Sequence, residues 1–174
     1  MIKKSLFVFS IFISVLFAKN TISIEEVLKE SFEDRNISVE KKSLILTKED
    51  VKTIQSNAHS KVDSKVVRYY KITKDNTPLG NAILLKKRVR TKIAAILYIV
   101  DNNNSMLGIE ILSFKEPSEY KPSQEWQKML VGKTAEDTLV AGDDIPTISG
   151  ATLSARAISN SARLALSIAQ SKLK

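Results

Sequence analysis

The chain of 174 residues contains no cysteine. That absence excludes disulfides, thiolate metal sites, iron–sulfur ligation by this chain and cysteine nucleophiles. Histidine is almost as scarce. His59 is the only one, in the polar stretch Ala58-His-Ser-Lys61. One imidazole cannot build a multi-histidine metal site, so the expected place for His59 is the solvated surface. The glycine-rich nucleotide fingerprint G-x-G-x-x-G is missing, and so are internal repeats and low-complexity tracts. Hydrophobic residues at 43% and charged residues at 26% describe a folded domain, neither disordered nor polytopic. The length suffices for a real core.

What the chain has in excess is positive charge, with a formal net of +8. Such a balance attracts anionic lipid, an acidic partner or nucleic acid. The N-terminus bears on that choice. Lys3 and Lys4 precede an uncharged apolar run from Leu6 to Ala18. This is the n-region and h-region of a secretory signal peptide, too short for a comfortable membrane span. Ala18 offers a small residue for cleavage, although Leu16 is bulkier than the preferred pattern. Residues 1–18 are therefore expected to be a signal peptide, with an uncleaved membrane anchor as the competing reading. Cleavage removes Lys3 and Lys4 and takes the charge from +8 to +6. Lipid anchoring of a lipoprotein needs a cysteine and is excluded. An exported chain without cysteine fits a bacterial periplasm, and nucleic acid drops out as a partner.

Downstream the pattern alternates between helix and strand periods. Ile24, Val27, Leu28 and Phe32 share a helical face, with Ser23 and Glu26 spaced as a capping box. Ile37–Leu46 reads as a strand, and Thr47 with Asp50 opens a helix running to about His59. Val66–Thr73 is rich in β-branched and aromatic residues and reads as a strand. Asp75–Gly80 reads as a turn, and the segment from Asn81 as a partner strand. Lys92–Val100 and Met106–Phe114 flank Asp-Asn-Asn-Asn-Ser, a hairpin signal. The basic cluster Lys86–Lys92 is expected at a solvated strand end, with docking of an acidic partner or a lipid surface as the sharper reading. A Pro-punctuated loop, Phe114–Pro122, leads to a short helix, Gln124–Leu130, that carries Trp126. Gly132 follows as its C-cap. From Leu153 onward the apolar spacing predicts a long amphipathic helix. The expected fold class is α+β: a small, mostly antiparallel sheet with flanking helices and a long C-terminal helix. The expected organisation is a signal peptide over 1–18, a helix and strand extension over 19–60, and the main domain over 61–174.

The segment Pro146-Thr-Ile-Ser-Gly-Ala-Thr-Leu-Ser154 enters that last helix. A helix N-terminus presents free N–H groups and partial positive charge, which together favour an anion, above all a phosphate. Gly150 and Ala151 keep the approach open, Ser149 can cap, and the Thr152 hydroxyl falls in the first turn. Arg156, one turn on, adds charge or faces solvent. On these grounds alone, an ordinary capped helix explains the four residues equally well.

This stretch resembles the flavin-attachment motif of the FMN-binding domain family, whose members include periplasmic flavin subunits of sodium-translocating NADH:quinone reductase and Rnf electron-transfer complexes. The family pattern is Asp-x-x-Ser/Thr-Gly-Ala-Thr, with FMN joined through its phosphate to the last Thr. Ser149, Gly150, Ala151 and Thr152 match it. Pro146 stands where the family has Asp, with Asp143 and Asp144 out of register. Asp144 as a substitute and FMN held without a bond both remain open. The order of segments also follows the family over roughly residues 60–172. The hairpin strand and its Glu-containing loop, Leu107–Glu119, come first, then the helix with Trp126, then Gly132-Lys133 before the motif.

The resemblance implies FMN as cofactor, Thr152 as the phosphoester acceptor, and Ser149, Gly150, Ala151, Glu116 and Trp126 as residues around the flavin. It also implies a flavin transferase for maturation, and a redox partner protein or membrane electron-transfer complex. With no second cofactor motif, the expected role is an electron-transfer carrier or accessory subunit rather than a stand-alone enzyme. The alternatives are a flavin-dependent reductase of a small acceptor, and a secreted binding module without flavin.

Overall fold

The computed structural model describes residues 23–32, 34 and 36–173. The expected signal segment, 1–18, lies outside them. Two helices near the start form where their caps predict. Helix α1, Ile24–Ser31, carries the Ser23/Glu26 capping box, and α2, Lys48–Ala58, carries the Thr47/Asp50 one. Each box satisfies N–H groups that the first helical turn leaves free. His59 ends α2 in the left-handed region, with φ 44, and is exposed.

Five strands follow one another across a single antiparallel sheet. They are β1 (Ser38–Ile45), β2 (Val66–Lys74), β3 (Thr77–Arg88), β4 (Ile93–Asp101) and β5 (Met106–Ser113), in the spatial order β1-β2-β3-β4-β5. β1 pairs with β2 from Ser38↔Thr73 to Ile45↔Val66, so the N-terminal helix and strand segment is built into the same sheet. The turn expected over Asp75–Gly80 is shorter than the composition suggests. Only Asp75 and Asn76 turn, both at positive φ, and Thr77-Pro-Leu-Gly80 is already strand. Pro78 is tolerated because it sits near the strand start, beside the bulge at Ile72/Thr73. Gly80 is there for close packing: a Cβ would lie 2.2 Å from the Val100 carbonyl oxygen on β4.

Both faces of the sheet are used. On one side, Ile83, Ala94, Ile96, Tyr98 and Val100 pack beneath α2 and the long helix α4, Thr152–Lys172. On the other, Tyr70, Ile72, Ala82, Leu97 and Ile99 pack beneath α1 through Leu28. This is the expected α+β class. Helix α4 is more deeply enclosed than an amphipathic stripe predicts. Ser154, Ser159, Ser161 and Ser167 are buried along it. Serine is small enough for close helix packing, and Ser161 returns its hydroxyl to the Ala157 carbonyl at 2.7 Å. The Tyr98 hydroxyl lies 2.5 Å from Ser161 Oγ and 3.1 Å from the Ile158 carbonyl; with the Ser161 proton on the Ala157 carbonyl, the single Tyr98 proton serves the shorter contact, to Ser161. These bonds fasten α4 to the middle of the sheet. Among the described residues, no helix is long and apolar enough to cross a membrane.

Candidate functional site

The site forms where three chain segments meet at one end of the sheet. The turn between β3 and β4 contributes Val89 and Arg90, the loop after β5 contributes Glu116 and Tyr120, and the start of α4 contributes Gly150 through Ser154. Together they line a cleft of about 330 Å³. That is within the range of about 300–1,000 Å³ common for small-molecule sites.

The helix start differs from expectation in one respect. Ser149 does not cap α4. The N-cap is Ala151, and no side chain caps the helix. The reason is local geometry. Gly150 takes φ +73, and the Ala151 N–H closes a turn onto the Ile148 carbonyl at 2.9 Å. The chain therefore swings Ser149 into an exposed turn before the helix begins. Only glycine adopts that φ without strain. The consequence is an uncapped N-terminus facing a cleft. Among the described residues, the N–H groups of Thr152 and Leu153 have no hydrogen-bond partner. With the helix dipole behind them, they form an anion-binding end. Thr152 is half-buried at the first helical position, so its hydroxyl is held at this end. Arg156 is exposed and is absent from the cleft lining.

Glu116 is buried, with 9% of its surface exposed. Its carboxylate accepts from the N–H groups of Lys92 and Thr91, each at 2.6 Å, and of Arg90 at 3.2 Å. The Thr91 hydroxyl adds a contact at 3.3 Å. The Lys92 N–H, followed by those of Thr91 and Arg90, outweighs the opposing effect of burial and holds the Glu116 carboxyl below the usual carboxylate range. Glu116 thus shapes the turn that carries Arg90 into the cleft. In the sequence Arg90 is hidden within the basic cluster 86–92, where nothing distinguishes it from its neighbours. Topology alone brings it opposite Thr152.

Trp126 is on α3, Gln124–Lys128, and lies outside the cleft lining. It is 5% exposed, sits in the core, and donates its indole N–H to the Pro146 carbonyl at 2.7 Å. It therefore anchors the strap that leads into Ser149–Thr152. Asp144 is occupied in the same strap, accepting from the Val140 N–H at 2.6 Å and the Leu139 N–H at 2.9 Å. Burial pushes its carboxyl up, and the Val140 and Leu139 N–H groups with the nearby Lys133 outweigh that and hold it low. Lys133 also bonds Asp137 at 3.1 Å. The acidic residue nearest the family's Asp position is thus spent on holding the loop.

The last helix of this antiparallel α+β domain offers an uncapped N-terminus, a hydroxyl and an arginine in one cleft, the donors and charge that suit a phosphorylated small molecule. The comparison with known families makes the ligand specific. Residues 90–167 match the family model described as FMN-binding domain. The match covers under half of the chain, and it supports FMN as the cofactor. The matched stretch holds both walls of the cleft, from Arg90 through Glu116 to Thr152. No curated protein and no solved structure gave a significant match.

The residues present fit the cofactor. The free N–H groups of Thr152 and Leu153 and the Arg90 guanidinium supply donors and charge for a phosphate. Val89, Tyr120 and Leu153 supply apolar surface for a flat ring system. When bound, a flavin supplies one- or two-electron chemistry.

Proposed function

We propose that this protein is an exported electron carrier with FMN joined by a phosphoester to Thr152. The observation that carries the reading is the Thr152 hydroxyl in the first turn of an uncapped helix, at a cleft shared with Arg90 and Glu116. The Thr152 and Leu153 N–H groups that would hold a phosphate lie in the same helical turn as that hydroxyl. Attachment is a phosphoryl transfer. Thr152 Oγ1 attacks the FMN-side phosphorus of an FAD donor, the bond to the AMP phosphate breaks, and AMP leaves. The hydroxyl proton passes to the flavin transferase, and no oxidation state changes. A tether at the phosphate leaves the ring free for redox work.

The domain's own residues bind and orient. Among the described residues, the acid in the cleft lining is Glu116, whose carboxylate is committed to three backbone N–H groups. This supports a carrier that exchanges electrons with a protein or membrane complex, rather than a reductase acting alone on a small acceptor. The apolar run Leu6–Ala18 behind Lys3 and Lys4 supports export to a periplasm.

The test is intact mass after co-expression with a flavin transferase. The expected result is an added FMN minus water on the native protein and on Thr152→Ser, and none on Thr152→Ala. Native protein that stays yellow in its folded state without added mass overturns the phosphoester and leaves FMN as a dissociable cofactor.

A further inference from the structure

The sheet face that α1 covers is only partly covered. Pairing registers place its residues in rows across the strands. One row runs Lys41, Tyr70, Ala82 and Ile99, and it meets α1 through Tyr70, Ala82 and Ile99. The next row, toward the cleft end of the sheet, runs Ser43, Arg68, Leu84 and Leu97. Beyond it come Ile45 opposite Val66 on β1 and β2, Lys86 opposite Ala95 on β3 and β4, and then Arg88 beside Ile93. Alternation along each strand puts these side chains on the α1 face.

This end of the face is both apolar and basic. Ile45 is 74% exposed, Val66 59% and Ile93 46%. Arg68, Lys86 and Arg88 stand among them, exposed. Among the described residues, none of these three cations is paired with a carboxylate; Arg88 donates instead to the Thr91 carbonyl at 2.7 Å. Glu110, next to Leu97 on β5, is the acidic residue at its far edge. β-Branched aliphatics left this open together on one sheet face are uncommon unless something covers them.

We infer that this face seats the protein on an anionic phospholipid surface. The aliphatics enter the headgroup layer, and Arg68, Lys86 and Arg88 pair with lipid phosphates. Charge complementarity chooses the occupant. A second copy of this chain would set cation against cation, and the apolar run Leu6–Ala18 brings further lysines rather than acids. The aliphatic character of the face, without an aromatic anchor in its open rows, favours a lipid surface over an acidic protein. The location also matters for the cofactor. Arg88 belongs to the face and Arg90, two residues on, lines the FMN cleft. Seating the face on a bilayer brings the cleft mouth beside the headgroups, within reach of a membrane-bound electron partner. The inference goes beyond the carrier reading and does not require the phosphoester.

Co-sedimentation with vesicles tests it, using phosphatidylcholine alone or with about 30 mol% phosphatidylglycerol as the anionic lipid. Full-length protein is compared as the native chain, Arg68→Gln/Lys86→Gln, Ile45→Ser/Val66→Ser, and Lys48→Gln/Lys52→Gln on α2 as a charge-matched control. The native chain should bind the anionic vesicles more tightly than the neutral ones. Arg68→Gln/Lys86→Gln should lose about thirtyfold, at roughly one lipid-paired charge each. The α2 control should stay within about twofold, and the aliphatic pair should weaken binding at high salt. Melting curves establish that each variant folds. Equal loss in the face and control variants overturns the inference, as does equal binding to both vesicles. Cross-linking of the face to an acidic protein without vesicle binding overturns it too. The same vesicle measurement on Thr152→Ala separates this inference from the phosphoester: its binding should match the native chain.

Discussion

Replacing Trp126 with phenylalanine tests whether the strap before α4 is held by a hydrogen bond or merely by packing. The indole N–H donates to the Pro146 carbonyl at 2.7 Å while the ring is 5% exposed in the core. Phenylalanine keeps an aromatic ring and loses the donor. Pro146 is exposed, so water can take over at its carbonyl, and no buried acceptor is left bare. The loss is then about 1 kcal/mol for the bond, and up to about 1 kcal/mol more for the smaller ring. Trp126→Ala removes the ring from the core and should cost about 3–5 kcal/mol. For a chain of this size, about 1–2 kcal/mol lowers Tm by roughly 2–8 °C. The functional readout is separate. Freeing the 146–150 strap unsettles the turn that leaves the Thr152 and Leu153 N–H groups open. Trp126→Phe should therefore weaken FMN binding several-fold, measured by flavin fluorescence titration on protein made without the transferase. Unchanged Tm and unchanged flavin affinity would refute the reasoning. A Trp126→Phe loss as large as that of Trp126→Ala would show that the bond, rather than the ring, carries the energy.

Glu116→Gln should slow flavin attachment and lower Tm at neutral pH: the N–H groups of Arg90, Thr91 and Lys92 all meet Oε1, and an amide oxygen there carries no charge to strengthen the three bonds, while the amide NH2 cannot accept from the Thr91 hydroxyl. Glu116 has a folded pKa below its unfolded one, so its contribution is present above about pH 4.3 and fades as pH falls through the folded value. Melting native protein and Glu116→Gln side by side between neutral pH and acid should show their difference shrinking. Tyr98 behaves in the opposite sense. Burial raises its pKa, so its contribution is complete below about pH 10 and is lost as pH rises toward the folded value. Urea unfolding of flavin-free protein should lose about 1.4 kcal/mol per pH unit more in the native chain than in Tyr98→Phe above that point. At neutral pH Tyr98→Phe should cost only about 1 kcal/mol, because Ser161 keeps its bond to Ala157.

Much of the framework is written locally. Each capping box joins residues only three apart in sequence, and the Asp101–Ser105 hairpin and α4 announce themselves by turn residues and period. Composition overstates the Asp75–Gly80 turn because Pro and Gly usually mark turns, whereas Gly80 serves a cross-strand approach to Val100. The serines of α4 read as polar positions, and their burial follows from close packing against the sheet.

The motif Ser149–Thr152 determined by itself a glycine-turned helix start with a hydroxyl in the first turn, since both are local properties, while an ordinary capped helix explained the same residues equally well. What the tertiary structure decided was the rest of the site. Arg90, Glu116 and Thr152 are far apart along the chain, and they meet because the meander returns β3 and β5 to the end of the sheet where α4 begins. Trp126 and Asp144 acquired their roles the same way, as holders of a strap whose partners lie on other segments. Local sequence sets backbone geometry within a few residues. Which distant side chains share a cleft depends on how the faces of the sheet are buried, and that is a property of the whole chain.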